Sequence, residues 1–549
     1  VTFFVVLVVL GLLAALSIPN LMSSQRRSRE ARLLHELHTT MTAPALAPIA
    51  KAVPLTGVGS LERTGPPFNT EAYDRIYDNP FLSVSAHPLS TFSIDTDTAS
   101  YSNVRRFLNG GRLPPRDAVR IEEMVNYFRF EYPQSEGDAP FSVTTELAGC
   151  PWNPGHKLAL IGLQGKRIEE KDLPPRNLVF LVDVSGSMQD PLKLPLVKAA
   201  MGMLVESLTE RDRVAIVVYA GSTGLVLPPR PGNQKAAIRQ ALASLEAGGS
   251  TNGGQGIVLA YKVAEENFIQ GGINRVILAT DGDFNVGVTS QGDLIRLIEE
   301  KRATGIFLSV LGVGEGNLKD STMENLADKG NGNYAYLDSL AEARKVLVSE
   351  AGGTLVTIAK DVKIQVEFNP REVSAYRLIG YENRMLRAED FSDDRRDAGE
   401  IGAGHTVTAL YELIPAGARV EASQADALKY QGPRTPSAAA EGDEVMTVQL
   451  RYKAPDGDRS ALLTVAVTDP GDGRSDPSRN MRFAGAVVGF GMLLRDSEHK
   501  GSVSYAQVLE LARGSKGEDP HGYRAEFIKL VELAETLAKM QGPRQRAGS

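Results

Sequence analysis

The stretch "FLVDVSGSM", Phe180 to Met188, closes an apolar run that starts at Leu178 with an aspartate, then sets Ser185 and Ser187 around Gly186. A short, unbroken apolar run ahead of a polar loop reads as a strand buried on both faces, as in a parallel sheet covered by helices. In open sheets of that kind ligands bind beyond the carboxyl ends of the strands. Asp183, Ser185 and Ser187 therefore fall where a ligand is expected.

The same alternation continues along the chain. "LPLVKAAMGMLVESL" places Val197, Ala200, Met201, Leu204 and Leu208 on one helical stripe, and "RVAIVVYA", "RVILATDGD" and "GIFLSVLGVG" read as further strands. Helical segments are predicted around 237–245, 257–266 and 294–301. Strands alternating with amphipathic helices predict an α/β, doubly wound domain with a mainly parallel sheet.

Two more loops open at the same sheet edge. "GGSTNGG" carries Thr251 between glycines ahead of a helix, and "LATDGDFNVG" puts Asp281 directly after its strand. Asp183, Ser185, Ser187, Thr251 and Asp281 make an oxygen-only donor set. Hard divalent cations prefer such ligands, whereas zinc favours histidine and thiolate. Magnesium or manganese takes six oxygens, and this set offers five of which three are neutral hydroxyls, so a carboxylate from an Asp or Glu of a protein partner is the natural further ligand.

This set resembles the metal-ion-dependent adhesion site of von Willebrand factor type A (VWA) domains, and the resemblance spans Arg176 to Ala351. It implies that Ser185, Ser187 and Thr251 reach the metal directly or nearly so, with Asp183 and Asp281 holding it largely through water. The stretches "FSIDTDTASYSNVRRFLNGGRLPPRDAVRIEEMVNYF" and "YRLIGYENRMLRAEDFSDDRRDAGEIGAGHTVTALYE" resemble bacterial YfbK-type proteins over roughly Tyr73 to Met540. That resemblance implies an amino-terminal module, a VWA domain and a distinctive carboxy-terminal domain.

Composition bounds the rest. At 549 residues the chain exceeds the size of one hydrophobic core, so several domains are expected. With 60 basic and 67 acidic residues, a net charge of -7 and no long basic run in its body, nucleic acid is excluded as a partner. The lone Cys150 is read as a small buried hydrophobe. Nucleophilic catalysis by Ser185 or Ser187 needs a histidine base, and none of the seven histidines falls within Arg176 to Ala351. In "GVGEGN", Asn317 takes the place of the third glycine of a dinucleotide fingerprint. The chain is accordingly read as a binding protein and not an enzyme.

Val1 to Gln25 carries no charge and Val1 to Leu16 is almost wholly apolar, which predicts a membrane anchor helix over 1–38. "GLLAALSIPNLMSSQRRSREARLLHEL" resembles the amino-terminal helix of type IV pilin-like proteins, with Thr2 where that family has glutamate. The body is expected on the extracytoplasmic side, in the cell envelope. An intracellular VWA subunit assisting an AAA-type ATPase is the alternative, favoured by the basic cluster Arg26, Arg27, Arg29 and Arg32.

An Ala/Pro-rich linker is expected over 39–67 and a helical module over 68–140. In that module Gly110 is read as a left-handed helix stop, Asp117 as a helix cap, and Asp95 and Asp97 of "IDTDTAS" as turn and cap residues. The acidic run Glu389 to Glu400, with His405, is read as a solvated loop. Strand-like "FSVTTELAG" and "KLALIGLQGK" occupy 141–175, and more strands with helices from Met481 to Met540 occupy 352–549. Two strands cannot make a stable sheet alone, so the VWA domain, 176–351, is predicted to be inserted into a β-sandwich built from both flanks.

Overall fold

The computed structural model describes residues 70–249, 253–282, 291–350, 355–418, 435–469 and 476–541. The expected anchor, 1–38, and linker, 39–67, lie outside the described residues. Among the described residues no helix is long and apolar enough to cross a membrane.

The described residues open with β1 (Leu82–Ser83), β2 (Leu89–Ser93), α1 (Ala99–Asn109), α2 (Ile121–Asn126), β3 (Phe141–Gly149) and β4 (Lys157–Gly165). The 68–140 stretch is thus not purely helical, because the short run "LSTFS" enters a sheet that its own pattern is too brief to announce. Gly110 has φ near -77°, and the left-handed residue is Gly111 at +71°. Asp117 does not cap α2, which starts four residues later at Ile121 without a side-chain cap. Its Oδ1 instead accepts the N–H of Ile76 at 2.9 Å.

The central segment runs β5 (Arg176–Asp183), α3 (Leu194–Glu206), β6 (Arg213–Tyr219), β7 (Thr223–Pro231), α4 (Lys235–Ala243), α5 (Gly253–Glu266), β8 (Ile273–Thr280), α6 (Gln291–Ala303), β9 (Ile306–Val313), α7 (Asp320–Lys329), β10 (Tyr334–Leu337) and α8 (Leu340–Arg344). Its sheet has the order β10-β9-β8-β5-β6-β7, parallel except for β7. Leu178, Phe180 and Val182 of β5 pack with α3 and α4, while Val179 and Leu181 pack with α5 and α7 on the other face. That two-sided burial is why β5 has no polar alternation.

The last segment comprises β11 (Thr357–Phe368), β12 (Val373–Ile379), β13 (Met385–Leu386), β14 (Gly399–Gly402), β15 (Thr406–Pro415), β16 (Glu444–Lys453), β17 (Ser460–Thr468), α9 (Arg479–Arg495), α10 (Tyr505–Gly514) and α11 (Tyr523–Gln541). Its strands interleave with those before the VWA segment, in sheets of order β1-β12-β15-β4-β3 and β13-β2-β11-β16-β17. Ala159, Ile161 and Leu163 of β4 meet Ile364, Val366 and Val448 of the opposing sheet in one core. Leu158 and Leu160, on the other face of β4, join α1, α2 and α9–α11 in a second core that also contains Cys150 and Trp152. Cys150 is a buried free thiol, pushed up to about 12 by burial, as befits a packed hydrophobe.

The acidic run is less solvated than its composition suggests. The carbonyls of Asp390 and Asp393 accept the Lys363 ammonium, and Asp390 is buried. Burial also holds the Glu400 carboxyl well above the usual range and pulls His405 down to about 4.

Candidate functional site

The sheet order creates the site. From β5 the chain moves one way to β6 and β7, then crosses to the other side of β5 to form β8, which is the strand-order reversal where open α/β sheets bind ligands. Val182 is in register with Ala279. Asp183, the last residue of β5, and Asp281, the first beyond β8, therefore emerge side by side.

Asp183 has no solvent exposure. Its Oδ1 accepts the N–H of Ser185 at 2.8 Å, which turns the chain sharply, and its Oδ2 accepts the hydroxyls of Tyr219 at 3.2 Å and Thr280 at 3.1 Å. Burial pushes the Asp183 carboxyl up to about 6, against the opposing pull of the Ser185 hydrogen bonds. The Ser185 and Ser187 hydroxyls lie 3.0 Å apart, so the two neutral donors turn towards one place. Gly186 N–H donates to Gly249 O at 3.1 Å, which ties the serine loop to the segment leading to Thr251. Thr251 itself lies outside the described residues.

Asp281 is fully buried, and burial raises its pKa, but hydrogen bonds with Asn317, Lys193 and Ser187 outweigh that and leave the carboxyl below its usual range. Lys193 Nζ donates to Asp281 Oδ2 at 2.9 Å and to Asn317 Oδ1 at 3.0 Å. The lysine stem crosses Gly314, where φ is +75° and a Cβ would overlap the Lys193 methylenes. Glycine is required there on both counts.

Four of the five expected residues, Asp183, Ser185, Ser187 and Asp281, are thus gathered at one sheet edge. Sequence reasoning missed Tyr219, Thr280, Lys193 and Asn317. Thr280 and Asn317 stand inside the quoted "LATDGD" and "GVGEGN" stretches, so their strand-end position was a usable signal. Lys193 carries no such signal, since one lysine at the start of a helix is unremarkable. The chemistry of the donors fits a hard divalent cation: every side chain turned to the site apart from Lys193 offers oxygen, and a fully buried carboxylate favours a cationic neighbour.

Three family models match along the chain. The model described as von Willebrand factor type A domain matches residues 177–348, one described as von Willebrand factor matches 67–160, and one described as "Uncharacterized protein YfbK, C-terminal" matches 353–537. The chain is 46% identical over 473 residues to "Uncharacterized protein YfbK" of Escherichia coli K12, covering 85% of this chain and 81% of that one. It is 29% identical over 182 residues to the magnesium-chelatase 60 kDa subunit of Cereibacter sphaeroides, covering 31% of this chain and 32% of that protein. Among solved structures, the von Willebrand factor type A protein from Catenulispora acidiphila aligns with a TM-score of 0.39 and 17% identity, covering 71% of this chain and 90% of that one. With that identity sustained along most of both sequences, the chain belongs to the YfbK family of VWA-domain proteins.

Proposed function

We propose that this chain is a membrane-tethered protein-binding module, which engages a carboxylate of its partner through a divalent cation held by Asp183, Ser185, Ser187, Thr251 and Asp281. The observation that carries the reading is the convergence of Asp183, Ser185, Ser187 and Asp281 at the β5/β8 reversal. Magnesium or manganese, when bound, supplies an electrophilic position for an external oxygen. The chain's own residues do the rest. The Ser185 N–H and the Tyr219 and Thr280 hydroxyls fix the Asp183 carboxylate, and Asn317 and Lys193 fix that of Asp281. The apolar segment Val1–Leu16 supports the membrane tether, and its pilin-like continuation through Gly11–Leu37 supports an extracytoplasmic body.

The test is a pull-down from native envelopes with and without chelator, comparing wild type with Asp183→Ala. Partner capture should be lost on chelation and in the variant, and free carboxylates should compete with it. Capture that survives both would place recognition elsewhere on the protein. The similarity to a magnesium-chelatase subunit favours a second reading, an intracellular subunit that assists an AAA-type ATPase. A carboxy-terminal reporter found on the cytoplasmic side would support that reading over the first.

A further inference from the structure

The loop that follows β9, Gly314 to Lys319, brings Asn317 to the β5/β8 edge, where its Oδ1 accepts the Lys193 ammonium at 3.0 Å and its side chain hydrogen-bonds Asp281. The same loop lies against the turn after Asp281, since a Cβ on Gly282 would overlap Lys319 N and crowd Asn317 O. No helix or strand contains Gly314 to Lys319, and Gly314 and Gly316 have φ of +75° and +92°. Backbone of this kind is costly to order, so the place of Asn317 has to be fixed from outside the loop.

A segment far away in sequence does this. Thr70 N–H donates to Gly316 O at 2.7 Å and Ala72 N–H to Leu318 O at 3.0 Å, in a parallel bridge that pairs Ala72 with Lys319. Lys319 Nζ donates to Thr70 O in return. Between Thr70 and Ala72, Glu71 turns inward with its side chain 6% exposed, and its Oε1 accepts the Gly316 N–H at 2.7 Å. Arg106 of α1 grips both carboxylate oxygens, at 2.8 and 3.1 Å, and Oε2 also accepts the Tyr73 hydroxyl at 3.2 Å. Burial opposes the charge on Glu71, yet Arg106 and the Gly316 N–H hold its carboxyl below the usual range. A fork of charge-assisted hydrogen bonds thus fastens α1 to the peptide beside Asn317.

We propose that Glu71 is a positioning residue for the cation site, acting through Gly316 and Asn317, an inference that rests on the reading of the Asp183 set given above. The strap Thr70–Ala72 holds Asn317 where one amide occupies Lys193 and bonds Asp281 at the same time. With the strap released, Asn317 leaves, and the Lys193 ammonium is left to Asp281, in competition with the cation. Side chains that hold a metal ligand in place, without touching the metal, change affinity by about ten- to hundredfold when they are removed. Glu71 stands one step further out, which puts its effect at the lower end of that range.

The test uses the full chain as wild type, Glu71→Ala, Glu71→Gln, Asn317→Ala and the double variant of Glu71→Ala with Asn317→Ala. Calorimetry with magnesium should show Glu71→Ala binding about tenfold more weakly. Glu71→Gln, whose amide oxygen still accepts the Gly316 N–H, should recover part of that loss, and the double variant should bind no more weakly than Asn317→Ala alone, because the two side chains act in series. Hydrogen exchange is followed in parallel on chelator-treated protein, where Glu71→Ala should speed exchange across 314–319 and leave β5 and β8 protected. If circular dichroism shows that Glu71→Ala does not fold, Thr70→Pro takes its place, since it removes the N–H that donates to Gly316 O. Unchanged exchange across 314–319 overturns the strap while leaving the cation site standing, and so do losses in affinity that simply add in the double variant. A wild-type chain that takes up neither magnesium nor manganese overturns the reading of the Asp183 set itself, and the role of Glu71 with it.

Discussion

Lys193 is the residue whose role the β5/β8 edge leaves most exposed to experiment. Its ammonium lies 2.9 Å from Asp281 Oδ2 with 7% of the residue exposed, so it holds an acid of the proposed metal set by charge. A buried cation so close also repels an incoming divalent ion. Lys193→Met keeps the stem that crosses Gly314 and removes the charge. Magnesium affinity, measured by calorimetry, should rise about tenfold, equivalent to about 1.4 kcal/mol. Unchanged affinity would detach Lys193 from cation binding. At this scale the sequence announced Asp183, Ser185, Ser187 and Asp281 because strand ends and glycine-rich turns mark ligand-facing positions. It was silent on Lys193, whose partners Asp281 and Asn317 are far along the chain. Its reading of Asp95 as a turn residue holds, since Asp95 Oδ1 accepts the Asp97 N–H, but Asp97 does not cap α1, because its Oδ1 accepts the N–H of the distant Tyr334.

The strands show how two-sided burial is written and where it is not. β5 is apolar at successive positions because helices cover both of its faces. β4 is buried from Leu158 to Gly165 for a different reason, with a second sheet on one face and helices on the other. Gly162 in β4 leaves room for the Tyr132 ring, whose hydroxyl hydrogen-bonds Thr408 at 2.9 Å. Gly162→Ala places a methyl group inside that ring, so thermal or denaturant unfolding should show a loss of about 1–3 kcal/mol. A loss under about 0.5 kcal/mol would mean that Tyr132 does not pack as described. β7 and β10 escaped the sequence reading. "TGLVLPPRP" carries three prolines that an edge strand tolerates, and "YAYL" is too short to register a period.

At the scale of the molecule, chain order and spatial order part company. β3 and β4 precede the VWA segment, yet β4 pairs along its length with β15, from Thr406↔Gln164 to Leu413↔Lys157. β2 likewise pairs with β11. A fragment from Asp361 to Ser549 therefore keeps β12 beside β15 but lacks β4 on its other side, and has a core without Ile161 and Leu163. That fragment should fail to melt cooperatively unless Phe141–Lys166 is supplied in trans, whereas Arg176–Ala351 should fold alone on its two helical layers. Cooperative melting of the carboxy-terminal fragment by itself, with no gain from the added strands, would show that the sandwich does not depend on β3 and β4.

By itself the sequence determined the doubly wound sheet and the acids and hydroxyls gathered at its edge, because both follow from local order: apolar runs, helical stripes, and polar residues at the ends of strands. Tertiary structure alone decided that Lys193 reaches Asp281, that "LSTFS" becomes a sandwich strand, and that Asp95, Asp97, Glu123 and Glu324 share one buried place. Each of those depends on residues brought together from distant parts of the chain. A side chain's local pattern records whether it is buried, but not which distant charge or strand it is buried against.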